Sequence, residues 1–284
     1  MANNTIGWGQ GTTNNDIGWG RGSSNDIGWG SVYDSSYVGD TDIVGGGGDT
    51  RFIIRIDTTQ AGSAADTFVL PWIGTYDVDW GDGNVDLAVT DSQTHVYASS
   101  GIYDVKVTAA IGQIYFANSG DKSKLIDIRN WGNVGWTTMD RAFWGCNNLT
   151  NVTASDVPDL SGVTIMFLAF RDCTLLTDLD VSLWNTSNVT NMNSTFRFCS
   201  SLTDLDVSLW DIDQVTTFIN FATDVNIPTA TYDAILIAWE AQTPTSGLSI
   251  HFGNSEYTAG GAAEAARTSL QVTYGWTIVD GGPA

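Results

Sequence analysis

The sequence predicts a mainly β chain: a small β-sandwich, then a repeat solenoid, then a small α/β cap. Three observations predict it. Short alternating apolar runs separated by turns fill 52–110, a repeat of 26 to 27 residues runs through 126–221, and beyond it the repeat dissolves into helix-like and strand-like stretches. Composition agrees, because 31 glycines favour turns and 12 tryptophans among 284 residues supply large apolar anchors. Charge restricts the partners. With 32 acidic against 11 basic side chains the formal net charge is −21, a field that repels nucleic-acid phosphate and an anionic membrane leaflet. No apolar run approaches the length of a membrane-spanning helix. Expected partners therefore exclude nucleic acid, and membrane insertion is not expected.

Residues 1–50 are expected to form an anchoring segment and linker. Ile6-Gly7-Trp8-Gly9, Ile17-Gly18-Trp19-Gly20 and Ile27-Gly28-Trp29-Gly30 recur at spacings of 11 and 10. Each is an apolar pair on a bend that glycine permits. So short a segment cannot bury three tryptophans against itself, which points Ile6, Trp8, Ile17, Trp19, Ile27 and Trp29 at a sister subunit or a larger assembly. Gly45-Gly46-Gly47-Gly48 reads as a linker.

Residues 51–112 are expected to be the sandwich, with strands over 52–56, 67–70, 76–80, 94–97 and 103–107. Gly81 and Gly83 allow a tight hairpin, inside which the Asp82 carboxylate can accept backbone N–H bonds. Trp80-Gly81-Asp82-Gly83, then His95-Val96-Tyr97, then Gly101-Ile102-Tyr103-Asp104-Val105-Lys106-Val107 resemble the signature of immunoglobulin-like domains of the polycystic-kidney-disease (PKD) type. That resemblance implies a spacer or binding module.

Residues 113–224 carry the clearest pattern. The stretch 201–210 repeats 175–184 at an offset of 26, and Met139, Met166 and Met192, Phe143, Phe170 and Phe196, and Cys146, Cys173 and Cys199 all keep step. Such a period means stacked coils, with Leu176, Leu179 and Val181 at the L-x-x-L-x-L positions of a leucine-rich repeat. Asp180-Val181-Ser182-Leu183-Trp184 and Asn188-Val189-Thr190-Asn191-Met192 resemble the BspA-like branch of leucine-rich repeats. The first rung departs, since Val152-Thr153-Ala154-Ser155 lacks both the acidic residue and the tryptophan. Residues 225–284, with helical spacing over 232–239 and 262–270 and strands over 248–252 and 276–279, resemble the C-terminal cap of such arrays through Gly253-Asn254-Ser255-Glu256-Tyr257 and Gly275-Trp276-Thr277-Ile278.

Stacking places equivalent residues about 4.8 Å apart. Two outward columns are then expected: Leu125, Asn151, Asp178, Asp204, and beside it Asp127, Thr153, Asp180, Asp206. The patch formed by Asp178, Asp180, Asp204 and Asp206 reads as a solvated face, a ligand-binding strip or a Ca²⁺ site, although Ca²⁺ wants 6–8 oxygens in a shaped cage and no dedicated loop supplies them. No other cofactor is expected. The three cysteines, always three residues after the repeat phenylalanine, are expected to face inward. Trp136, Arg141 and Trp144 near the first rungs read either as a sugar-stacking surface or as core and subunit contacts.

Catalysis is poorly supplied. His95 and His251 are the only histidines, each explained within a structural motif, and no phosphate-cradling loop is present. A non-enzymatic role is expected. The start Met1-Ala2-Asn3-Asn4-Thr5 lacks the basic and apolar regions of a secretory signal, so something other than secretion is expected to carry display modules outside. The Ile-Gly-Trp-Gly repeats with Ser31-Val32-Tyr33-Asp34 resemble N-terminal segments of bacteriophage structural proteins. Together the resemblances imply a virion protein of head, tail-fibre or decoration type. Residues 1–50 would attach it to other virion proteins, and the repeats would face host-surface or mucus glycans; a symmetric homo-oligomer follows from such a role. The alternatives are a bacterial cell-surface adhesin and, behind it, a carbohydrate-active enzyme.

Overall fold

Alternation of Phe52, Ile54 and Ile56 with polar or half-exposed neighbours gives β1 (Phe52–Asp57) one fully buried face. The strands that follow are β2 (Thr67–Leu70), β3 (Trp72–Ile73), β4 (Thr75–Asp79), β5 (Val85–Thr90), β6 (Gln93–Val96), β7 (Ile102–Thr108), β8 (Ile111–Ile114), β9 (Leu125–Asn130), β10 (Gly135–Trp136) and β11 (Asn151–Val152). Helices α1 (Thr229–Glu240) and α2 (Ala262–Val272) alternate with β12 (Ser249–His251), β13 (Glu256–Tyr257), β14 (Thr277–Val279) and β15 (Gly282–Pro283). These elements come from a computed structural model that describes residues 48–284, the compact unit Gly48–Ala284, and they make it mainly β. The six N-terminal anchoring residues, Ile6 to Trp29, lie outside the described residues.

The main sheet runs β11-β9-β1-β7-β4-β5, with β2 and β6 paired separately and β3, β8 and β10 in a third sheet. The 80–83 hairpin closes as its residues dictate. Asp79 accepts the Gly81 N–H at 2.9 Å and Asp82 the Asn84 N–H at 3.0 Å. Gly81 sits at φ +82°, and a Cβ there would lie 2.5 Å from the Asp104 carbonyl oxygen. His95 lies flat on Trp80 at 4.8 Å, its Nε2 2.9 Å from the Asp82 carboxylate.

Strand β9 belongs to two systems. It pairs antiparallel with β1 and parallel with β11, so the sheet passes unbroken from the first strands into the repeats. This position corrects the expected columns. Leu125 is fully buried, and Asp127, 8% exposed, turns in to accept the Thr153 N–H at 3.0 Å and hydroxyl at 2.8 Å. Both edges of β9 are occupied, and register shifts against β1 break its strict in-out alternation. Beside β9 the wholly buried Lys124 ammonium donates to the carbonyls of Ser63, Ala64 and Thr67 and to the Ser63 hydroxyl. Asp121 in turn accepts the N–H groups of Ser63 and Val69. The pair ties residues 63–66 and the start of β2 to the segment that leads into β9.

In the repeats, parallel bridges join Asn151 to Asp178, Ile165 to Asn191 and Asn191 to Thr217. Phe143, Phe170 and Phe196 stack at 5.1 and 5.8 Å, and Trp184 lies over Trp210 at 6.5 Å. The methionine and cysteine columns are fully buried, and the thiols of Cys173 and Cys199 donate to the Phe143 and Phe170 carbonyls. Every second N–H reaches the next rung: Met139 to Ile165, Arg141 to Phe167, Phe143 to Ala169 and Gly145 to Arg171, at 2.8 to 2.9 Å. This path needs left-handed backbone at two recurrent positions, Arg141, Leu168, Ser194 and Asn220, and four residues later Gly145, Asp172, Phe198 and Asp224. Non-glycine residues pay about 1–2 kcal/mol there, offset by inter-rung hydrogen bonds. At Gly145 a Cβ would lie 2.2 Å from Asn118 Oδ1, so a larger residue there requires the Asn118 side chain to move.

The end of the stack is closed by Phe218, which bridges to Ile250, and by α1, whose Trp239 stacks on Phe218 at 5.2 Å. Arg267 of α2 holds the buried Asp280 carboxylate through a bidentate fork at 2.7 and 2.9 Å, and the Tyr232 hydroxyl donates to the same group.

Candidate functional site

Two residues of each rung point away from the core on the segment just described. One column consists of Asp140, Phe167, Asn193 and Ile219, the other of Trp144, Arg171, Arg197 and Thr223. They form a ribbon of arginine and aromatic groups. Arg141 lies over the Phe167 ring at 4.9 Å, Arg171 over Trp144 at 5.3 Å and over Phe198 at 5.8 Å, and Arg197 over Phe198 at 4.5 Å. Such stacking holds each planar guanidinium in place while leaving its in-plane N–H groups to meet acceptors.

Carboxylates partly neutralise the strip. Asp140 pairs with Arg141 at 2.7 Å, and Asp172 lies 3.3 Å from Arg171 while accepting the Trp144 indole N–H at 2.9 Å. Burial pushes the Asp140 carboxyl above its ordinary value, and the Arg141 guanidinium opposes that only in part. Arg197 forms no ion pair with any described carboxylate. Buried side-chain polar atoms normally have partners. Seven without a hydrogen bond occur among the described residues, and four lie here: Asp140 Oδ1, Arg197 Nε, Thr223 Oγ1 and Arg171 Nε, the last held only by its ion pair with Asp172 at 3.3 Å. The other three are indole N–H groups of the core, Trp72, Trp136 and Trp184.

Of the residues singled out from sequence, Arg141 and Trp144 lie on this ribbon. Trp136 does not: it is 1% exposed, packed edge-on against Phe52 at 5.0 Å and beside Trp72 at 5.7 Å, and so is a core residue that no sugar reaches. Its place in β10, paired with β8, explains this correction. Phe167, Arg171, Asp172, Arg197 and Phe198 were missed. The signal was present in the repeat register, because Trp144, Arg171 and Arg197 each follow a column phenylalanine by one residue.

Asp178, Asp180 and Asp204 are exposed and Asp206 is half-buried. Asp180 and Asp206 bend back onto the N–H groups of Ser182 and Ser208. Among the described residues no group of three or more His, Cys, Asp or Glu is arranged to hold a metal ion. His251 accepts the Gly253 N–H at 3.0 Å, and His95 is engaged by Asp82, so each histidine closes a local turn or hairpin. No described helix is long and apolar enough to cross a membrane.

Residues 137–234, which span the ribbon and the start of α1, match a family described as "Mycoplasma protein of unknown function, DUF285". No curated protein and no solved structure matches the chain.

Proposed function

We propose that this chain is a non-enzymatic display and adhesion protein. In this reading a PKD-type immunoglobulin-like sandwich supports BspA-like leucine-rich repeats closed by the α/β cap. The repeats present the arginine and aromatic ribbon to saccharides of a host surface or mucus. Residues 1–50 fasten the protein to a bacteriophage virion, as a homo-oligomer, and the acidic column is a solvated face. The observation that carries the reading is the ribbon itself, where shielded polar atoms of Asp140, Arg197 and Thr223 without hydrogen-bond partners gather beside stacked arginines. Cation–π pairs of this kind occur roughly once per 70–80 residues, whereas four lie here within 141–198.

The bacterial cell-surface adhesin is the second reading. It is favoured by the match of 137–234 to a family whose description names a cellular bacterium. Both readings share the ribbon and differ in the carrier.

A glycan array probed with the full chain tests the shared part. Binding that disappears in Trp144→Ala and Arg171→Ala supports saccharide adhesion; an array blank for the native chain overturns it. Mass determination of purified virions against cell envelopes from the producing culture then assigns the carrier.

A further inference from the structure

The ribbon combines two kinds of unmet demand. At its first rung Asp140 Oδ1 is a shielded acceptor without a donor, and at its last Thr223 Oγ1 is a shielded hydroxyl without a partner. Between them Arg171 and Arg197 share the Phe198 ring, at 5.8 and 4.5 Å; the Arg197 Nε is shielded and without a partner, whereas the Arg171 Nε faces Asp172 Oδ2 at 3.3 Å. Arg171 has a carboxylate neighbour in Asp172, whereas Arg197 has no described one. An uncharged ligand would satisfy the hydroxyl and the carboxylate and leave the Arg197 fork idle. A free phosphate would meet the fork but not the acceptor, and a dianion is the species most opposed by a chain of net charge −21. A ligand carrying hydroxyl donors and a single negative charge fits both demands. Asp140 and Arg197 stand two rungs apart, roughly 10 Å, so the hydroxyls and the anion must belong to different units of one extended molecule.

We infer that the ribbon takes an acidic oligosaccharide, its carboxylate held by the fork of Arg197 with Arg171 beside it and its hydroxyls spread along the strip from Asp140 to Thr223. This inference rests on the adhesion reading and names its ligand class. Arginine suits the role because its planar donors match a carboxylate bidentately and its pKa keeps it charged at every working pH. Aromatic faces already covered by guanidinium leave the cation, rather than a bare ring, as the recognising group.

The test is calorimetric titration of the full chain with a xylo-oligosaccharide bearing one glucuronate, which carries a single carboxylate, and with the same oligosaccharide after carboxyl reduction. The acidic form is expected to bind at least tenfold tighter than the neutral one. Arg197→Gln should bring it down to the neutral level, and Arg197→Lys, which keeps the charge and loses the fork, should fall between. The unfolding midpoint of each variant establishes that it is folded. Equal binding of both forms, or acidic binding unchanged in both Arg197 variants, overturns the inference and leaves saccharide adhesion standing. Binding of neither form overturns the inference, and the glycan array decides whether the adhesion reading falls with it.

Discussion

Trp210 and Trp239 make the same hydrogen bond one rung apart. The Trp210 indole N–H donates to the Val181 carbonyl at 2.8 Å, and that of Trp239 donates to the Val207 carbonyl at 2.9 Å. Trp210 belongs to a repeat and Trp239 to helix α1, so the cap ends the array by supplying a helical residue where the next rung would have placed its own. Trp184 shows the opposite end. The rung before it is irregular, Trp131 meets it edge-on at 5.4 Å instead, and its indole N–H is left without an acceptor.

Phenylalanine at these positions should separate the bond from the ring. Trp210→Phe and Trp184→Phe shrink the core alike, but only the first removes an indole hydrogen bond, leaving the Val181 carbonyl with the backbone N–H of Trp184 alone. Trp210→Phe is expected to cost about 1 kcal/mol more than Trp184→Phe, measured by urea unfolding. Trp239→Ala should cost about 3–5 kcal/mol, through loss of the closing side chain.

Lys124→Met should destabilise by about 3–5 kcal/mol, because it leaves buried carbonyls and Asp121 without their cation. Chemical denaturation of the variant checks this. Native-state hydrogen exchange should show the loss first at the amides of Ser63 and Val69, which bond to Asp121.

Asp180 titrates below the ordinary carboxyl value of 3.8, because the Ser182 hydroxyl and N–H both donate to it. A depressed carboxyl stabilises the fold fully above its unfolded pKa, and that contribution is lost as pH falls through the lower folded value. Carboxyl-carbon NMR titration should place the Asp180 midpoint below 3.8, and Ser182→Ala should raise it. An unchanged midpoint in the variant would contradict the assigned cause.

Burial pushes the Cys146, Cys173 and Cys199 thiols above their ordinary value. A thiol-reactive dye at pH 8 should therefore leave all three unlabelled in the folded protein and label all three in denaturant. The labelling rate under native conditions then reports opening of the repeat core.

A chain starting at Gly48 should be a folded monomer, since Gly48–Ala284 is one compact unit, while the full-length chain should assemble. Light scattering of the two forms decides this. Two monomers of identical state would remove the anchoring role from the tryptophan repeats.

Much of the mainly β character could be read in the sequence, because period-2 alternation and a 26-residue offset are properties of side-chain order alone. The strand expected over 67–70 spans Thr67–Leu70, and the helix-like spacing at 262–270 falls within Ala262–Val272. β5 was missed because an edge strand with most of its side chains exposed carries no alternation. The burial of Leu125 and Trp136 was hidden for another reason: each is decided by a strand pairing across the junction, β9 with β1 and β10 with β8, and not by its own neighbours in the chain. The ribbon was half visible. Arg141 and Trp144 stood out by type, whereas Arg171 and Arg197 became partners only once the left-handed turns set their columns side by side.

Because β9 is shared between the leading sheet and the first rung, the array has a fixed template at one end, and Trp239 gives it a fixed stop at the other. Length can therefore change only in between. Each inserted unit of 26 residues would add one more step to both outer columns while leaving template and stop untouched. Reach and valency along a polymer become a matter of copy number, tunable by duplication or deletion of one unit without redesign of either end.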